Sequence, residues 1–262
     1  MSKEQLAKST ELRAESKNSK LYANSSKPLR WIELIVVITL VLIYGWATHQ
    51  RNFVWKDDMT LYLDVVEKSP SKSRAYSSLQ VAFMSQGQYR EAIEAGKSAV
   101  YLNPCNVEAY NNMAAAYGRL GLYEEAIVVL KKVLRYAPDY SDAYYNLGVS
   151  YLGLGQYKEV IEASARAIYF KPDHADAYNN LGIAFLRMGC NTEGINALKK
   201  AIHYGPDTVK AYNNLGVAYI NIGKYAEAVE VLNEAIRLKP DYLQARNNLA
   251  VAKSRLKEAE SK

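Results

Sequence analysis

The sequence predicts an all-α chain, a right-handed α-solenoid of helix–turn–helix units preceded by one transmembrane helix. Three observations carry this. Tyr76, Tyr110, Tyr144, Tyr178 and Tyr212 stand 34 residues apart, as do Gly87, Gly121, Gly155, Gly189 and Gly223. Pro70, Pro104, Pro138, Pro172, Pro206 and Pro240 keep the same frame without an insertion or deletion. Finally, residues 31–47, WIELIVVITLVLIYGWA, form the one long apolar run.

Each repeated unit divides into two amphipathic helices. In the last, Tyr212, Leu215, Gly216 and Tyr219 fall at i, i+3, i+4 and i+7, one apolar face of a first helix. Gly223 marks the break, where the absence of a Cβ is permissive. Tyr225, Ala228, Val229, Leu232, Ala235 and Ile236 make the apolar face of a second helix. Pro240 ends it, because proline donates no N–H and disfavours helix in the residue before it. The aspartates after the prolines, Asp139, Asp173, Asp207 and Asp241, are expected to help start the next helix. Small residues recur where helices approach: Gly148, Gly182 and Gly216 in first helices, Ala92, Ala126 and Ala228 in second ones.

The order aromatic, Leu-Gly, aromatic, Ala, Pro over 34 residues resembles the tetratricopeptide repeat. That resemblance implies five units at 73–106, 107–140, 141–174, 175–208 and 209–242, together spanning 73–242. A half-repeat cap precedes them at 49–72, with Tyr62, Val65 and Val66 in second-helix register. A polar capping helix at 243–262 follows, as a solenoid needs to close its apolar end. In the fourth unit Asn191 replaces the second-helix tyrosine and Gly194 replaces alanine. A mid-helix glycine costs about 1 kcal/mol, so residues 190–200 are expected to be the loosest part.

Charge and hydropathy bound the rest. Of the net +6, residues 1–30, a basic polar tail, hold +4, which leaves the repeats without the basic patch that nucleic acid requires. Ten of residues 31–47 are Leu, Ile or Val, each favouring insertion by about 0.3–0.6 kcal/mol, enough to outweigh Glu33. The run, taken to 31–48, is expected to be a retained signal-anchor; a cleaved signal peptide is the competing reading, against which stand the thirty preceding residues and the lack of a clear small-residue cleavage site. Five Lys or Arg in 11–30 against three in 49–68 place the N-terminus in the cytoplasm and the repeats on the other side of the membrane.

The junction HQRNFVWKDDMTLYLDVVEKSPSKSRAYSSL, through Arg51, Asn52, Trp55, Leu61 and Pro70, resembles multi-span membrane proteins related to O-mannosyltransferases, in which tetratricopeptide repeats follow the last membrane helix. The likeness implies repeats outside the cytoplasm. The multi-span catalytic portion is missing here, so no transferase activity carries over. Cys105 and Cys190 lie two and a half repeats apart and cannot reach each other in a solenoid whose units touch only their neighbours.

No catalytic site, metal site or cofactor is expected. His49, His174 and His203 have no Cys, His or carboxylate at ligand spacing, and neither GxxxxGK[ST] nor GxGxxG occurs. The informative surface is the outward side of the first helices. There Asn112, Asn146, Asn180, Asn214 and Asn248 recur every 34 residues. They resemble the asparagine ladder of the O-GlcNAc transferase repeats, which grips extended peptide backbone in a concave groove. An amide both donates and accepts, so it can pair with any peptide backbone. Bonding between neighbouring repeats would account for the same asparagines. Beside them run Val81, Ala115, Val149, Ile183, Val217 and Val251, an outward apolar strip, with Arg119, Arg187 and Lys210 as candidate specificity residues. The expected partner is a protein or peptide in the groove; a membrane glycosyltransferase that this chain serves as accessory subunit, or further copies of the chain, are the alternatives.

Overall fold

The computed structural model describes residues 35–48 and 58–261. The described residues form thirteen helices and no strand. By internal packing the chain forms two units, Met1–Leu61 and Tyr62–Lys262.

The first unit contains α1, residues 35–48, with every residue exposed, and the start of α2 (Asp58–Lys68). Fourteen residues at 1.5 Å each reach about 21 Å, short of the roughly 30 Å hydrocarbon core. Among the described residues no helix is long and apolar enough to cross a membrane. The expected span over 31–48 thus appears only as this shorter helix; residues 31–34, the tail 1–30, and Arg51, Asn52 and Trp55 of the junction lie outside the described residues.

The second unit is built of helix pairs. These are α3 (Ser73–Ser85) with α4 (Tyr89–Leu102), α5 (Val107–Arg119) with α6 (Tyr123–Tyr136), and α7 (Ser141–Gly153) with α8 (Tyr157–Phe170). Then come α9 (Ala175–Arg187) with α10 (Asn191–Tyr204), α11 (Val209–Asn221) with α12 (Tyr225–Leu238), and the closing α13 (Leu243–Glu260). Each first helix touches the first helix of the next pair, α3 to α5 and onward to α13, whereas the second helices make no comparable contacts with one another. The stack therefore curves with its first helices inside.

The turn inside each pair is set by its glycine. Gly121 has φ +76°, and Leu122 N–H reaches back to Tyr117 C=O at 3.0 Å while Gly121 N–H bonds Gly118 C=O. This left-handed Schellman closure recurs at all five turn glycines. The expected aspartate caps sit one residue too early. The N-cap positions are Asn106, Tyr140, His174, Thr208 and Tyr242, and only the Asn106 and His174 side chains accept from the helix, from Ala109 N–H and Ala177 N–H.

Packing within a pair turns on two repeat positions that face each other. The first-helix position reads Gln80, Ala114, Gly148, Gly182, Gly216; the second-helix position reads Gly96, Leu130, Ser164, Leu198, Leu232. A Cβ on Gly216 would stand 2.5 Å from Leu232 Cγ, and one on Gly182 2.6 Å from Leu198 Cγ. Each leucine thus fills the notch its glycine leaves, and Leu130, Leu198 and Leu232 are fully buried. The first pair inverts the sizes, with buried Gln80 lying over Gly96. In the third pair both residues are small, and Ser164 Oγ stands 3.4 Å from the position a Gly148 Cβ would take. Around Gly194, where the loosest part is expected, the two helices pack closely. A Cβ on Gly194 would meet Leu186 Cγ at 2.7 Å and the Gly182 carbonyl oxygen at 3.1 Å, so the glycine lets the two backbones approach.

Candidate functional site: the groove of first helices

The inner surface forms a groove of about 600 Å³ centred on α5, α7, α9 and α11. Asn146, Asn180, Asn214, Val149, Ile183, Arg119 and Lys210 of the sequence-derived set all line it. Asn112, Asn248, Val217 and Arg187 do not. Arg187 is exposed at the end of α9, and Val217 is half-buried on α11.

Three of the five ladder asparagines are tied along the stack. Asn146 Nδ2 donates to Asn111 Oδ1, Asn214 Nδ2 to Asn179 Oδ1 and Asn248 Nδ2 to Asn213 Oδ1, each at 2.9 Å. Each bond links one repeat to the one before it. The acceptors are themselves buried, so the bonds pin adjacent first helices at a fixed register. The sequence already signalled them as the doublets Asn111–Asn112, Asn179–Asn180, Asn213–Asn214 and Asn247–Asn248. Of the two readings of the ladder, bonding between neighbouring repeats holds for Asn146, Asn214 and Asn248. One donor hydrogen of Asn146, Asn214 and Asn248 is spent on the neighbouring repeat, while their Oδ1 atoms accept no bond among the described residues.

The first and third units break the pattern, with Ser77 and Tyr145 at the acceptor position. Tyr145 stands where Asn111, Asn179 and Asn213 stand in other repeats. Asn180, 6% exposed, therefore lacks its acceptor, and its Nδ2 has no partner. Replacing Asn180 by leucine is accordingly expected to leave stability within about 0.5 kcal/mol, since no bond is lost and an unpaired buried amide is removed. Asn214→Leu strands Asn179 Oδ1 and is expected to cost about 1–2 kcal/mol. Urea unfolding of both variants checks the difference; equal costs would show that the amide bonds add nothing.

Tyr145 connects the groove to a second pocket of about 500 Å³, which it shares with Asn146 and Asp176. His174, 8% exposed, lies in that pocket with its ring 5.0 Å from the Tyr145 ring. Its Nδ1 accepts the capping N–H of Ala177, which leaves the proton of the neutral ring on Nε2. Nε2 has no hydrogen bond; the nearest carboxylate oxygen, Asp142 Oδ1, is 3.5 Å away. Burial pushes the His174 pKa below its ordinary value, with Asp142 opposing and Lys171 reinforcing the shift. Burial likewise raises the Tyr145 phenol, and Asp176 adds to this while Arg119 works against it.

Among the described residues no group of three or more His, Cys, Asp or Glu is placed to hold a metal ion. Cys105 and Cys190 are both free thiols.

The family described as the Cilia and flagella-associated protein 70 C-terminal domain, a tetratricopeptide-repeat domain, matches residues 56–262. The chain belongs to this tetratricopeptide-repeat family. Among solved structures, the tetratricopeptide chain is similar to MamA at 30% identity, with a TM-score of 0.54 over 66% of this chain and 94% of that one. It shares its fold with TTC0263, a thermophilic tetratricopeptide protein of Thermus thermophilus (23% identity, TM-score 0.60, 69% and 98% covered). The same holds for YrrB, described as a tetratricopeptide protein with an unusual peptide-binding site (22% identity, TM-score 0.53, 71% and 96% covered). No curated protein matches the sequence. These matches support the tetratricopeptide reading and not the narrower likenesses to O-mannosyltransferase-related proteins or O-GlcNAc transferase.

Proposed function

We propose that the chain is a non-catalytic scaffold whose inner groove holds an extended segment of a protein partner. The observation that carries this reading is the convergence of Val149 and Ile183 with the unspent amide oxygens of Asn146 and Asn214 in one groove. Its apolar side chains give contact area, and the free Oδ1 atoms can accept peptide N–H groups whatever the side chains of the segment. Lys210 and Arg119, which also line the groove, supply charge preference. The same fold carries a peptide-binding site in YrrB.

Residues 31–48 anchor the repeats to a membrane in this reading, with the N-terminus cytoplasmic and the repeats opposite. The exposed apolar side chains of Ile35, Val36, Ile38, Leu42 and Ile43 on α1 support it.

One preparation tests both parts. The full chain in membranes, panned against a library of ten-residue peptides, should select segments that bind. Val149→Asp with Ile183→Asp should abolish that binding, and Val128→Asp on the exposed face of α6 should leave it intact. Equal effects of the two changes, with folding retained, would refute the groove. Carbonate washing should leave the chain in the membrane, and deletion of 31–48 should release it. Release of the intact chain would remove the anchor.

A further inference from the structure

The inner rim carries an ordered run of charge. At the second residue of successive first helices stand Arg74, Glu108, Asp142, Asp176, Lys210 and Gln244, all exposed and 34 residues apart. Acids occupy the middle of the run and bases flank them. Asp142 and Asp176 lie in the first turns of α7 and α9, where the helix dipole alone favours a carboxylate. The dipole does not account for Asp173, which joins them in the pocket from the loop before α9. Nor does it account for His174, more than nine-tenths buried at the same place, its Nε2 without a hydrogen bond and directed at Asp142.

Three carboxylates face one lysine, Lys171, in this pocket. The neutral His174 ring adds no compensating charge. Tyr145 supplies an aromatic wall whose burial and acidic neighbours raise its own pKa, so the phenol stays uncharged. A pocket with excess negative charge, an aromatic side and amide groups from Asn111 and Asn146 matches a cationic side chain. The pocket shares Tyr145, Asn146 and Asp176 with the groove, so its occupant can belong to the segment lying there.

We propose that this pocket seats an arginine or lysine side chain of the partner segment and fixes its register along the groove. The inference rests on the groove reading above. It makes the third repeat, where the asparagine pattern breaks, the point of recognition: Tyr145 replaces an inter-repeat bond with a wall for the ligand.

The test repeats the peptide panning on the full chain and on Asp142→Asn/Asp176→Asn, which keeps size and polarity at two exposed positions. Segments selected by the unaltered chain should share a basic residue at one fixed position. Their affinity should fall about tenfold in the double variant, and by a similar factor when that residue is changed to norleucine. Raising the salt should weaken the unaltered chain's binding and scarcely affect the variant's. Segments that bind without a shared basic residue, or equal binding by the variant, would overturn this inference and leave the groove standing. Selection of no segment at all would overturn both.

Discussion

Gly96→Leu is expected to destabilise the repeats by about 3 kcal/mol, and adding Gln80→Ala is expected to recover most of that loss. The space a side chain on Gly96 would enter is held by Gln80 Nε2 and by the Cγ and Sδ of Met113. Leucine alone must displace a fully buried glutamine whose Nε2 bonds Ala109 C=O at 3.1 Å. Gln80→Ala alone loses that bond and leaves a void that glycine cannot fill, at a cost of about 2 kcal/mol. The double variant recreates the arrangement one repeat along, where Ala114 faces the fully buried Leu130. Met113 is flexible enough to move aside. The double-mutant cycle from urea unfolding should therefore give a favourable coupling of about 4 kcal/mol. Additivity within about 0.5 kcal/mol would mean that the two positions do not share one space.

The same pair of positions shows what could and could not be seen beforehand. Periodicity placed the helix pairs and the turn glycines because those depend on each residue's own backbone and apolar face. The φ of +76° at Gly121 and Gly223 follows directly from a glycine recurring between two amphipathic segments. Size complementarity is a property of two residues 16 apart, and reading each helix separately hides it. That is why Gly194 looked like a weakness: its partner, Gly182, has to be considered with it before the close backbone approach appears. The asparagine ladder was legible as a row, but its direction was not. A single helical face shows Asn146 pointing outward; only the neighbouring repeat's Asn111, 35 residues earlier, reveals the bond that turns the amide along the stack. The doublets held this information. They fail at Ser77 and at Tyr145, and the absence of a metal-ligand spacing around His174 says nothing of its place beside Tyr145. The work of His174 is to cap α9 with Nδ1, a local role that no ligand motif describes.

Leu198→Ala is expected to cost about 4 kcal/mol, near the top of the range for such truncations, and more than Leu130→Ala at the equivalent position. Both leucines are fully buried. The difference lies in what surrounds the hole. Leu198 fills a notch with no side chain of its own, since Gly182 faces it. The two helices cannot close on the vacancy, because a Cβ on Gly182 would already lie 3.0 Å from the Gly194 carbonyl oxygen, which puts the backbones near closest approach. The cavity therefore persists at nearly its full size, and cost grows with residual volume. Opposite Leu130 the methyl of Ala114 takes up part of the space, so about 3 kcal/mol is expected there. Loss at Leu198 also spreads, because the residue packs in one cluster with Leu215, Tyr219 and Leu232 of the following repeat. In a solenoid that neighbour contact is the main source of a unit's stability. Hydrogen exchange should accordingly accelerate in α9 to α12 and little in α3 and α4. The order Leu198 above Leu130 is the decisive result: equal costs, or the reverse order, would show that the glycine notch relaxes and that the Gly182–Gly194 approach does not hold the pair apart.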